Sequence, residues 1–196
     1  MTDAASRPSR RRDRDATRAA LLDAARLRFS RHGFDGTGVR EIAADVGVDP
    51  ALISRYFGSK EKLYAEAVRV DVLPGLAANP NRPLVHIADQ LLREVVFGEW
   101  KEFDGEHPLL VMLRSSGRPA VREQLREQVC DDYLEDFAER LEGDDAALRA
   151  ELIGALLLGM GVMRSVVESP ALGNASYEET RALVAGLVHT LTRARS

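Results

Sequence analysis

Clusters of ionisable and small residues raise three kinds of chemistry in this sequence, and spacing argues against each. Asp132, Glu135, Asp136 and Glu139 repeat at helical spacing, as the carboxylates of a diiron bundle do, but no Glu-x-x-His pair completes such a set. A solvated helix face accounts for them. His32, His86, His107 and His189 are scattered without metal-ligand spacing, and Cys130 is the only cysteine, so neither an intrachain disulfide nor a Cys/His zinc site is assigned. Gly154, Gly159 and Gly161 lie in an apolar helical run that lacks the phosphate-loop spacing and its Gly-Lys-Ser/Thr end. Close helix packing explains these glycines better. With no Gly-x-Ser-x-Gly elbow and no His-Glu-x-x-His pair, no catalytic residue, metal or cofactor is assigned. An enzyme on a helical bundle is therefore the weakest reading.

Charge is more informative than any acid or base taken singly. The 196 residues carry a formal net charge of -4, yet residues 1–62 hold 13 Lys and Arg against 9 Asp and Glu, while the remainder hold 14 against 22. A basic front suited to a polyanion joins an acidic back. The start, Met1 to Arg14, is polar and Arg-rich with no apolar h-region behind it. The most apolar run, Leu152 to Met163, is too short to span a bilayer. The expectation is a cytoplasmic protein with no membrane partner.

The elements that must position a site are helices throughout, because apolar residues recur at helical spacing and no run alternates strictly. The fold class expected is all-α. A basic arm, residues 1–14, is expected to be disordered, and a first helix from Asp15 or Thr17 runs to a stop at Gly33. A second begins near Gly38, with Glu41 placed as in a capping box, and ends at Gly47. A third, Pro50 to Phe57, starts from Asp49, whose carboxylate accepts free N–H groups, followed by a proline with no N–H to satisfy. Ser59 caps a connecting helix over residues 59–73. The stretch Pro74 to Pro83 reads as a linker. Five further helices follow, roughly Leu84 to Trp100, His107 to Ser116, Pro119 to Leu141, Asp145 to Val167 and Tyr177 to Arg193.

Two short helices joined through Gly47-Val48-Asp49 form a helix-turn-helix, in which the second helix enters the major groove and the first braces it. The tight turn calls for a left-handed residue at Gly47. Ile42, Ala43, Val46, Val48 and Ile53 supply its apolar contacts. The segment from Thr37 to Lys60, with the Gly33-Phe34 corner before it and Glu61-Lys62-Leu63 after it, resembles the DNA-binding domain of the TetR/AcrR transcriptional regulators over roughly Ala16 to Ala67. The resemblance implies a base contact from Arg40, groove-facing roles for Pro50, Ala51, Ser54 and Arg55, and phosphate contacts from Thr37, Tyr56 and Lys60. These residue types suit the roles, since Arg can bond guanine, Ala and Pro can touch a thymine methyl, and Lys can pair with phosphate. Gly38, Asp49 and Ser54 depart from the family's usual residues, so the operator is not inferable from relatives.

The resemblance further implies residues 15–58 as the DNA-binding domain and 74–196 as a ligand-binding and dimerisation domain. The protein is expected to bind a near-palindromic double-stranded operator as a homodimer. Leu152, Leu156, Gly159 and Met163 would pair with Leu183, Leu187 and Leu191 across the dimer. A small hydrophobic or amphipathic effector is expected in a pocket drawn from Phe97, Trp100, Phe103, Met112, Arg114, Tyr133, Phe137, Met160, Met163 and Arg164, where aromatics give rigid walls and Met adapts. The alternative is a rear domain that recognises another protein. An enclosed apolar cavity favours the first reading and a fully packed core the second.

Overall fold

A computed structural model describes residues 7–69 and 81–193, and every regular element among them is helical. The chain divides into two compact units, the first ending at Arg69 and also taking in Glu102–Asp104. The first helix, α1, spans Arg7–His32. It begins earlier than expected: residues 7–14 are helical, while residues 1–6 lie outside the described residues. Pro8 falls in the first turn, where a missing N–H leaves nothing unsatisfied, and the following Arg and Ala residues favour helix. Leu21, Ala25 and Phe29 form its buried face, and the helix stops at Gly33, with φ 66°.

Helix α2, Val39–Val46, starts with Glu41 accepting the Gly38 N–H at 2.8 Å, and closes at Gly47 with φ 72° and ψ 34°. That is the left-handed conformation the turn requires. Helix α3, Ala51–Phe57, follows the turn, and α4, Lys60–Ala67, begins where the Ser59 hydroxyl accepts the Lys62 N–H. Phe29, Phe34 and Tyr64 fill the centre of the unit, with Tyr64 edge-on to both rings at 4.9 and 5.1 Å. The fourth helix ends at Ala67 rather than Leu73, because Val68 turns with φ −90° and ψ 0°. A β-branched valine at 68 weakens helix there. Residues 70–80, which include most of the expected linker, lie outside the described residues.

In the second unit α5, Leu84–Leu91, continues through a wide π turn, Leu92–Val96. Helix α6, Pro108–Arg114, is capped by His107, whose Nδ1 accepts the Leu109 N–H at 3.1 Å. The expected helix from Pro119 is one helical path with a π segment inside it: α7, Pro119–Arg126, then Glu127–Leu134, then α8, Glu135–Ala138. Helix α9 is Ala146–Ser165, α10 is Pro170–Asn174, and α11 is Tyr177–Thr192. The short α10 occupies what the sequence marked only as a break, using Pro170 as a favourable first residue.

Ile87, Leu92, Phe137, Ile153, Leu157 and Val188 centre the core of this unit. Helix α9 has 20 residues, longer than the run read from the sequence, and by length and composition it is apolar enough to cross a membrane. Its apolar residues are divided between two faces. Ile153, Leu157 and Met160 enter the core, whereas Leu148, Leu152 and Met163 are exposed. Near its start Arg149, only 3 % exposed, bonds Asp145 Oδ1 at 2.7 Å and the carbonyls of Leu191, Arg193 and Glu142. This guanidinium ties the first turn of α9 to the end of α11.

Candidate nucleic-acid interface and effector site

Four of the residues expected at DNA are exposed on the helix-turn-helix: Arg40 on α2, and Ala51, Ser54 and Arg55 on α3. Pro50 and Tyr56 are half-buried, with the Tyr56 ring edge-on to Phe57 at 6.4 Å. Lys60 is half-buried too, its ammonium 4.2 Å from the centre of the Phe34 ring. The ammonium is held there as a cation over the face of an aromatic ring. Thr37 departs from expectation. It is 1 % exposed, and its hydroxyl lies 2.9 Å from the Gly33 carbonyl and 3.2 Å from that of Arg28. A side chain so enclosed ties the segment before α2 to the end of α1, with its hydroxyl already given to backbone carbonyls.

The acids around this surface are committed to local partners. Asp49 Oδ1 accepts the Ala51 N–H at 2.7 Å, so the departure at this position serves as the cap of α3. Asp45 takes two hydrogen bonds from Arg28, at 2.5 and 2.7 Å, which hold its carboxyl below the usual carboxylate range. Arg28 also stands 3.8 Å from Glu41. Arg28 thus braces α1 on α2, a role not expected from the sequence. Its signal was an arginine one turn before the end of α1 facing two acids spaced four apart.

The residues expected around an effector do not share one space. Phe103 belongs with the first unit, its ring 6.0 Å from the Arg26 guanidinium. Met112 and Phe137 are fully buried core, Met160 is nearly so, and Met163 faces outward at 40 % exposure. Tyr133 is half-buried. Arg114 pairs with Glu106 at 2.5 Å, and burial pushes the Glu106 carboxyl above its ordinary value. Arg164 bonds the carbonyls of Leu172 and Ala175 and lies 4.4 Å over Phe97, so its donors serve the end of α10. A cleft of about 40 Å³ between α5 and α11, lined by Ala88, Asp89, Leu92, Arg181, Val184 and Val188 among others, includes none of the expected residues.

Three buried side-chain atoms among the described residues of the second unit have no hydrogen-bond partner: Gln128 Oε1, Arg140 Nη1 and His107 Nε2. His107, 2 % exposed, uses Nδ1 as the cap of α6, leaves Nε2 unpaired, and meets Trp100 edge-on at 5.0 Å. Burial pushes its pKa down to about 4, so the ring is neutral, with its proton on Nε2. No role was expected of His107 from the scattered spacing of the four histidines. The His107-Pro108 pair, a cap acceptor before a first-turn proline, was the available signal.

Residues 21–67 match the family described as bacterial regulatory proteins of the tetR family, and residues 86–191 match the tetracyclin repressor-like C-terminal domain. The chain is 30 % identical over 174 residues to the HTH-type transcriptional regulator BetI of Agrobacterium fabrum, covering 81 % of each chain. It is 37 % identical to the HTH-type transcriptional repressor SCO4008 of Streptomyces coelicolor over 62 residues, 32 % of each chain. A transcriptional regulator of Saccharomonospora viridis, solved in complex with choline, shares the fold with TM-score 0.67 at 20 % identity, over 92 % of this chain and 100 % of that one. With both halves of the family matched in order, this chain belongs to the TetR family and is a DNA-binding transcriptional regulator.

Proposed function

We propose that the protein is a repressor that binds a palindromic operator as a homodimer, in the cytoplasm, and is released by a small hydrophobic or amphipathic effector. The observation that carries the DNA reading is the exposed set Arg40, Ala51, Ser54 and Arg55 on a helix-turn-helix whose nearby acids are already paired. SCO4008, 37 % identical over 62 residues, is named a repressor. Dimerisation is supported by Leu148, Leu152 and Met163 on α9 and Leu183 and Leu187 on α11, which leave an apolar face exposed. Leu156 and Leu191 turn towards the core instead.

Effector release is supported by the choline held by a protein of the same fold and by the unpartnered Nε2 of buried His107. The tightly filled core around Met112 and Phe137 favours a second reading, in which the rear unit recognises a protein. The two are separated by titrating operator complexes with a panel of hydrophobic compounds. Release by any of them supports sensing, and an unmoved complex supports the protein partner.

The DNA reading is tested on the intergenic duplex beside the coding region by mobility shift. Arg40→Ala should weaken binding by about 1–3 kcal/mol and relax preference at one base pair, whereas Lys60→Ala should weaken all duplexes alike. Uniform loss from Arg40→Ala would remove it from base reading.

A further inference from the structure

Two nitrogens of one buried ring are used unequally in the second unit. His107 is 2 % exposed, and its Nδ1 accepts the Leu109 N–H at 3.1 Å, which places the proton on Nε2. That Nε2–H has no partner. A buried donor left unbonded bears its full desolvation cost, so its retention in a folded chain calls for a group that completes it.

The surroundings of the ring give that group a shape. Trp100 meets His107 edge-on at 5.0 Å and is half-buried, with its indole Nε1 donating to the Glu94 carbonyl at 3.3 Å. A Cβ at Gly98 would lie 2.8 Å from that Nε1, so glycine there lets the indole take this place. The Gly105 N–H, bonded to the Trp100 carbonyl at 2.9 Å, turns the chain back and sets the two rings together. An aromatic wall and one fixed N–H therefore share a corner of the unit.

Charge narrows the choice further. A cation such as an ammonium has no lone pair with which to accept. An anion would enter beside Glu106, whose side chain is 13 % exposed and whose carboxyl burial already pushes up, and the neutral imidazole offers it no countercharge. Arg114 is paired with Glu106. A neutral oxygen acceptor remains.

We propose that His107 Nε2 is the polar anchor of the effector, and that the effector is a neutral molecule whose carbonyl oxygen accepts this N–H while an apolar body lies against Trp100. This rests on the effector reading above and narrows it. Reaching a ring so enclosed requires neighbouring side chains to move, as in a pocket formed by its ligand.

The test titrates the full chain, alone and on a duplex it has selected from a random pool, with benzylacetone, butylbenzene and hydrocinnamate. These probes share a shape and differ in carrying a ketone, a methylene or a carboxylate. The readouts are the fluorescence of Trp100, the only tryptophan, and the NMR resonance of the His107 Nε2 proton. Benzylacetone should bind about three- to tenfold tighter than butylbenzene, move the Nε2 proton downfield and release the duplex. His107→Asn keeps an acceptor for the cap but ends short of Nε2, and should bind the two alike, with circular dichroism checking its fold. Should that variant not fold, the parent's Nε2 resonance decides alone. Equal affinity for ketone and hydrocarbon with the Nε2 proton unmoved overturns the anchor, while release of the duplex by either keeps effector sensing. A resonance already downfield in the free protein and insensitive to the ketone assigns Nε2 to a buried water and also overturns it. Tighter binding of hydrocinnamate overturns the neutral class. If no probe perturbs Trp100 or the duplex complex, the anchor falls, and the wider panel of hydrophobic compounds then judges sensing itself.

Discussion

His107 shows how one side chain can do two jobs that conflict with pH. Its Nδ1 must stay unprotonated to accept the Leu109 N–H, and its burial, which pulls the pKa to about 4, enforces this. The unfolded chain takes up the proton near 6.5, so stability is fully present above that pH and is lost as pH falls from 6.5 towards 4, by about 3 kcal/mol in all. Glu94 and Glu106, whose carboxyls burial pushes up, act in the opposite direction. The difference between parent and a His107→Asn variant, which keeps a cap acceptor but does not titrate, isolates the effect. Denaturant unfolding at pH 7 and pH 4 should show a flatter pH dependence in the variant. Of the residues expected at DNA, Arg40, Ala51, Ser54 and Arg55 are exposed, which was legible because each falls off the apolar stripe of its helix. Thr37, for which the resemblance implied a phosphate contact, turns its hydroxyl onto the Gly33 and Arg28 carbonyls, a choice of partner that sequence pattern does not disclose.

At the scale of elements, α9 is shaped by what its glycines face. A Cβ at Gly161 would lie 3.2 Å from the Val95 carbonyl oxygen, in the π turn after α5, whereas a Cβ at Gly154 would meet only the tip of Leu134, at 3.0 Å. Backbone cannot step aside as a leucine tip can. Gly161→Ala should therefore destabilise by roughly 1–3 kcal/mol, and Gly154→Ala by less, once the helix-propensity gain of about 1 kcal/mol common to both is removed. Thermal unfolding of the pair checks this. Helix starts were read well where a side chain supplies the cap, at Asp49, Ser59 and His107. The wide turns at Leu92–Val96 and Glu127–Leu134 left no mark in the sequence, because an inserted residue inside an apolar run keeps the run apolar.

At the scale of the whole molecule the exposed apolar face of α9 and α11 was legible because its leucines recur at helical spacing, but spacing does not say which of two faces a residue joins. Leu183 and Leu187 are 80 % and 54 % exposed, while Leu191 packs on the core. A Leu187→Glu variant should sediment as a monomer and lose operator binding, since two recognition helices are needed to span two half-sites. Retention of a stable dimer would place the interface elsewhere.

The clamp of Arg149 on the end of α11 has a consequence in time. Terminal turns of helices open and close freely, and their amides trade protons with water sooner than those of a core. Here the carbonyls of Leu191 and Arg193 hold a guanidinium that is 3 % exposed, so the last turn cannot open without baring that charge. The amides of Leu191 and Thr192 should accordingly exchange as slowly as those in the middle of α9. In an Arg149→Met protein they should speed up by on the order of tenfold or more, the loss of a charged hydrogen bond being worth about 1.5–3 kcal/mol.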